Sequence, residues 1–320
     1  MEISNQPDQP DQPDQPDQLI DFKELFLILW DSKYWIGLSV SIFAVGSVIY
    51  ALSLPNLYYS ESLLKLSTQT SSSASSSLPS QFGSIASMAG INLGGVGNDI
   101  GKINSVLSTI QSRDFLKRLL EVDWVLPGLM ATQSYNSQTK KITYNPELYN
   151  ADEKTWIRDT PINRSQTPSF LEALPAYQGT IRVFYNKQTN LISLGVSHKS
   201  PIFAHNFLSL IINEINSFNR TMTLENSEKS LTYLYEQMAL ERRDDISLTI
   251  SSLIEQQLKT KMLAKVNKDF LIQPIDSPFI PEMKYAPVRS QICILITLFG
   301  GFFSCIFFVL KHYFLSRIKR

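Results

Sequence analysis

Cysteine is almost absent: the 320 residues include two, Cys293 and Cys305, and both fall in one apolar run. Thiols there behave as small hydrophobes, so the rest of the chain must be stable without disulfides even in an oxidising compartment. Neither sign of charge is in excess, with Lys plus Arg and Asp plus Glu at 29 each. A nucleic-acid binder concentrates basic residues against phosphates, and the basic cluster here is only the tail of Lys311, Arg317, Lys319 and Arg320. Nucleic acid is therefore not an expected partner. Histidine is scarce too, and His198 and His205 have no cysteine with which to build a zinc site. Around Gly101-Lys102, Val96 stands where a phosphate loop needs glycine and Ile103 where it needs a hydroxyl. Gly95-Val96-Gly97 misses the dinucleotide fingerprint because residue 100 is Ile, and Gly-x-Ser-x-Gly is missing. Glu241, Asp244 and Asp245 sit beside Arg242 and Arg243, the pattern of a solvated helix face rather than a glycosidase pair. No cofactor, metal or catalytic role is expected.

Two windows lack Asp, Glu, Lys, Arg and His altogether, residues 35–54 and 292–310. Each has the roughly 20 residues that cross a hydrocarbon core of about 30 Å. The second holds thirteen Ile, Leu, Phe or Val residues, so both read as transmembrane helices. Basic residues resist translocation, and they follow the second window but are missing from Pro55–Ser60 after the first. The expected topology has both termini cytoplasmic. A cleaved signal peptide would have a basic start and an apolar core of about 7 to 15 residues, whereas here the start is long and acidic. The first window is therefore expected to be an uncleaved anchor.

Between the windows the expected fold is α+β. Residues 1–34 form a cytoplasmic arm, with Gln-Pro-Asp repeated four times over 6–17 and an interfacial helix over Leu19–Leu29 with Trp30, Tyr34 and Trp35. Residues 55–271 form the outer domain. It opens on a strand over Tyr58–Ser67 and a serine-rich loop at 71–77, followed by a helical face over 105–120. Residues 131–170 are expected to mix short helices with loops. Strands over 180–185 and 191–197 form a hairpin, and Ser200-Pro201 caps a helix. That helix is expected to run almost without interruption to Val266, with a break near Asn219, so that a single long helix covers about 222–266. Its stripe, including Leu231, Met238 and Ile246, is expected to pack against another copy of the chain, the alternative being its own domain. Residues 272–291 carry Pro274, Pro278, Pro281 and Pro287, which oppose helix and sheet and predict an extended connector. Gly300 and Gly301 in the second window would allow another helix to approach closely. Residues 311–320 are a basic cytoplasmic tail.

Ile20-Asp21-Phe22-Lys23-Glu24-Leu25, Ala51-Leu52-Ser53-Leu54-Pro55-Asn56-Leu57-Tyr58 and the proline-rich lead into a glycine-bearing span resemble the Wzz-type chain-length determinants, or polysaccharide co-polymerases. Ala89-Gly90-Ile91-Asn92-Leu93-Gly94-Gly95 and Gln111-Ser112-Arg113-Asp114-Phe115-Leu116 resemble stretches of the larger lipopolysaccharide members. Met283-Lys284-Tyr285-Ala286, where further prolines would fit, and the Gln-Pro-Asp arm depart from the pattern. The resemblance implies a two-pass protein of a bacterial inner membrane whose periplasmic α+β base and long helix form a homo-oligomer. It further implies a non-catalytic regulator of O-antigen or related glycan length, acting with a Wzy-type polymerase on lipid-linked polysaccharide. An export adaptor for capsule or exopolysaccharide, paired with a separate tyrosine kinase, is the alternative. A periplasmic sensor fits less well, since only ten residues follow Leu310.

Overall fold

The computed structural model describes residues 30, 32–67, 97–161, 164–240 and 244–318. The expected Gln-Pro-Asp arm, the interfacial helix at 19–29 and the loop at 71–77 lie outside them. The chain divides into two compact units, Pro55–Ala286 and Met1–Leu54 with Pro287–Arg320.

The first unit is built on an antiparallel sheet of strands β1 (Tyr58–Leu66), β6 (Ile181–Asn186), β7 (Leu191–His198) and β8 (Ile272–Asp276), in the order β6-β7-β1-β8. Alternation divides its faces. Leu64, Ile192, Leu194 and Val196 are buried under helices, among them α2 (Gly97–Ile110), α3 (Arg113–Leu120), α5 (Phe170–Thr180) and α6 (Pro201–Leu240). The expected helical face over 105–120 is two helices, because Ser112 takes an extended backbone and its hydroxyl accepts from Phe115 N–H at 3.1 Å, starting a new helix. Phe203, Phe207, Ile211 and Ile215 recur every fourth residue on α6 and fill the core. Tyr177 is buried there with its hydroxyl donating to Ile110 O at 2.6 Å, and burial pushes that phenol up.

The short helices expected within 131–170 are instead two small hairpins after α4 (Val125–Ala131): β2 (Thr132–Asn136) with β3 (Lys141–Tyr144), and β4 (Tyr149–Asn150) with β5 (Thr155–Trp156). One turn chemistry builds both, and also the β6–β7 turn. Asn136, Asn150 and Asn186 each accept from the N–H groups two and three residues on, and Lys140, Lys154 and Asn190 then take φ of 53°, 54° and 55°.

Pro274 also corrects an expectation. It lies within β8, opposite Leu64, rather than in a connector free of sheet. Proline is tolerated there because β8 is an edge strand with a register shift beside it. The segment that follows is strapped to β1: Ser62 Oγ donates to Asp276 O (2.6 Å), Ser60 Oγ to Phe279 O (2.7 Å), and Leu57 exchanges backbone bonds with Ala286. Pro281 is buried, while Pro278 and Pro287 are half-buried.

The expected single helix over 222–266 is corrected as well. Helix α6 continues through Asn219, whose amide donates back to Ile215 O at 2.9 Å, so no break occurs there. It ends at Leu240, and the chain is helical again from Asp244 as α7 (Asp244–Val266). Residues 241–243 lie outside the described set. Glu228 pairs with Lys261 at 2.9 Å, and Met238 Sδ meets Ser251 Oγ at 3.8 Å, which is the register of an antiparallel helical hairpin. Leu231, Leu234, Ile250 and Ile254 form its core, with Met238, Ile246 and Leu253 packed against them. The predicted stripe is therefore covered by its own chain.

His198 closes β7. Its Nε2 lies 3.0 Å from Gly128 O and its Nδ1 accepts from Ser200 N–H at 3.1 Å, a pairing that suits the neutral imidazole. Ser200 Oγ in turn accepts from Phe203 N–H, the expected cap of α6. Burial holds the ring at about 4, below its ordinary 6.5. A folded pKa below the unfolded one gives stability that is fully present above about 6.5 and lost as pH falls toward 4. This amounts to about 3 kcal/mol at 1.36 kcal/mol per unit. Urea unfolding at pH 7.5 and 4.5 should show that loss in the native chain and a smaller one in His198→Asn. Equal acid sensitivity in both would refute the assignment.

Candidate functional site

The second unit contains the two longest apolar helices, α1 (Lys33–Ser53) and α8 (Arg289–Ile318). Their candidate spans, Lys33–Ser53 and Arg289–Lys311, have mean hydropathies of 1.9 and 2.6 and are 11% buried. Most of their apolar surface, including Ile42, Ile49, Leu298 and Phe307, is exposed in a way that lipid would cover.

The helices pack antiparallel along a seam of small residues. Ser47 and Ala51 of α1, with Gly300 and Ser304 of α8, are buried. A Cβ at Gly300 would fall 2.7 Å from Phe43 Cβ, so the absence of a side chain there is a packing requirement. A Cβ at Gly301 would stand 3.4 Å from Val40 Cγ2, an ordinary contact at its tight limit. In this structure the helix beside Gly300 and Gly301 is the chain's own α1. Arg289 closes one end of the pair, donating from Nε to Ala51 O (3.0 Å) and from a terminal guanidinium nitrogen to Leu54 O (3.4 Å). The last carbonyls of a helix lack partners of their own and carry the negative end of its dipole, so a cation is favoured there. At the other end of α1, Lys33 Nζ lies 4.8 Å from the Trp30 ring centroid and 5.3 Å from that of Tyr34, a basic and aromatic group of interfacial type.

Of the residues singled out from sequence, Leu231, Met238 and Ile246 come together in the α6–α7 hairpin, while Gly300 and Gly301 lie on the α1–α8 seam. Pro274, Pro278, Pro281 and Pro287 are spread along β8 and the strap that follows. Phe43 and Arg289 were not anticipated. Phe43 is one aromatic among many in an apolar window, and nothing in its spacing marks it as the residue facing Gly300. Among the described residues no group of three or more His, Cys, Asp or Glu is placed to hold a metal. Asp244 and Asp245 have side chains outside the described set.

Residues 18–121, about a third of the chain, match the family model described as Wzz, chain length determinant protein. That stretch contains α1, β1, α2 and α3. No curated protein matches the chain. Forty-seven solved chains match; one, titled "full-length bacterial polysaccharide co-polymerase", is 10% identical, with alignment over 93% of this chain and 99% of that one and a TM-score of 0.40. The chain therefore resembles the Wzz-type chain-length determinants through the family model as well as through the motifs quoted above.

Proposed function

We propose that this chain sets the length distribution of a surface polysaccharide without making or breaking bonds itself. The observation that carries the reading is the Wzz match over residues 18–121, which contains the first of two apolar helices near the chain ends. In this reading α1 and α8 cross a bacterial inner membrane, both termini are cytoplasmic, and the domain and connector between them are periplasmic. The basic residues after the second span, and their absence from Pro55–Ser60, support that orientation. Alkaline phosphatase fused near residue 150 should be active and fused after residue 320 inactive; the reverse pattern would overturn the topology.

The working form is a homo-oligomer acting with a Wzy-type polymerase on lipid-linked polysaccharide, of O-antigen or lipopolysaccharide type. The stripe first expected to hold copies together packs within the hairpin, with Leu231 buried and Met238 and Ile246 half-buried, so support for assembly moves to the outward residues of α6 and α7. Tyr233, Leu240, Leu248 and Met262 are 56%, 76%, 73% and 66% exposed, more apolar surface than a hairpin standing in water needs. Native mass in mild detergent should lie far above 36.3 kDa.

Deleting the gene and profiling the surface glycan on gels tests the function. Polymer should persist with a broadened or shifted length distribution. An unchanged profile would end the regulator reading, and complete loss of polymer would favour an export adaptor.

A further inference from the structure

The segment that joins β8 to α8 is held in place and yet leaves its apolar side chains uncovered. Ile275, Phe279, Ile280, Met283, Tyr285 and Val288 are all exposed, Met283 by 84%. Hydrogen bonds tie the same segment to β1 at Ser62, Ser60 and Leu57. At its far end Leu57 N–H donates to Ala286 O at 2.8 Å, and Leu57 O accepts from Tyr285 N–H at 2.8 Å. The Tyr285 ring leans on Tyr59, with centroids 5.0 Å apart. A backbone fixed in this way cannot turn the side chains inward, so the apolar surface needs a cover from outside.

Its place in the chain indicates which cover. Leu57 comes three residues after Leu54, where α1 ends, and Ala286 three residues before Arg289, where α8 begins. Because a chain spans at most about 3.6 Å per residue, this bonded pair can stand no more than about 11 Å from those helix ends. The polar layer outside a hydrocarbon core is itself about 5–8 Å deep on each side. Just ahead of the pair the chain bends at Glu282 and Met283, and the bend leaves Met283 pointing outward.

The composition of the bend suits that layer. Tyrosine is favoured there for its apolar ring and polar tip, and lysine can lay its stem on apolar surface while its ammonium reaches phosphate. Glu282 and Lys284 bring opposite charges, so the bend adds no net charge. A protein partner would have to displace lipid already present at this level. We infer that residues 282–285 are a third membrane attachment, with Met283 and Tyr285 seated in the headgroup layer and Lys284 among the lipid phosphates. The inference rests on the reading of α1 and α8 as spans, and its test separates the two.

Full-length protein carrying Cys293→Ala and Cys305→Ala receives one new cysteine at a time, as Met283→Cys, Leu298→Cys or Lys187→Cys. Each is given a nitroxide label in vesicles of phosphatidylethanolamine and phosphatidylglycerol. Oxygen concentrates in lipid and a charged nickel chelate in water, so the ratio of their effects on relaxation reports depth. All three positions are exposed, so folding should be little affected. Leu298, within α8, is the lipid control. Lys187 is the water control, because the β6–β7 turn lies at the opposite end of β7 from His198, the partner of Tyr58. The Met283 label should favour oxygen severalfold more than the Lys187 label does. Equal ratios at Met283 and Lys187, with Leu298 in lipid, overturn the inference and leave the spans standing. A Met283 label shielded from both reagents overturns it too and makes the bend a contact with protein. A Leu298 label in water overturns the span reading and this inference with it.

Discussion

Gly300→Leu should broaden or shift the surface-glycan length distribution while polymer is still made, and Phe43→Ala in the same chain should restore much of the original profile. Any side chain at 300 enters space held by Phe43, and the conflict reaches Phe43 Cβ at 2.7 Å. That atom is fixed to the backbone and cannot swing aside, so the helices must separate or rotate. In lipid no hydrophobic force pushes them back together, because close packing is itself what holds membrane helices to one another. Overpacking of this kind costs about 1–3 kcal/mol. Gly301→Leu should do less, since the space beside it ends at a Val40 methyl 3.4 Å away. The measurement is the gel profile at matched protein levels. A normal profile for Gly300→Leu, or no recovery with Phe43→Ala, would show that the α1–α8 seam does not matter to function.

Asn216→Leu should destabilise the domain by about 3–5 kcal/mol and lower its Tm by roughly 10 °C or more. Asn216 is buried on α6 and meets β8 as another strand would. Its Nδ2 donates to Ile272 O at 2.8 Å, and its Oδ1 accepts from Leu271 N–H at 3.0 Å and Ile272 N–H at 2.9 Å. Leucine has about the same bulk but leaves three backbone groups without partners in the core, each costing about 1–3 kcal/mol. Domains are stable by only about 5–15 kcal/mol in total. Asn219→Leu is the control, because that amide bonds only within its own helix, to Ile215 O. Thermal unfolding of both variants in detergent decides the matter, and similar losses in the two would refute the account.

How far such features could be read in advance depended on how local their cause is. The two apolar helices near the chain ends were legible because an apolar helix of that length is a matter of composition over a window, and residues 35–54 and 292–310 contain no charge. The β6–β7 hairpin and the Ser200 cap were legible because a turn or a cap is chemistry among neighbours. The hairpins at 132–144 and 149–156 had the same asparagine signal four residues before a positive φ, and the polar, proline-interrupted composition around them hid it. The α6–α7 hairpin was not legible, since a helical period looks the same in one straight helix and in two that fold back. Neither proline nor glycine marks residues 241–243.

The sequence by itself determined the apolar spans, the α+β character and the resemblance to chain-length determinants, because each follows from patterns within short stretches. Only the tertiary structure decided what meets what. It gave the stripe of Leu231, Met238 and Ile246 to a partner in the same chain, placed Phe43 against Gly300, and turned Pro274 into an edge-strand residue and Asn216 into the link between α6 and β8. Those pairings join positions up to some 257 residues apart, the Phe43 to Gly300 separation. They depend on packing in three dimensions, where many sequence-distant partners of similar chemistry compete and only shape chooses among them.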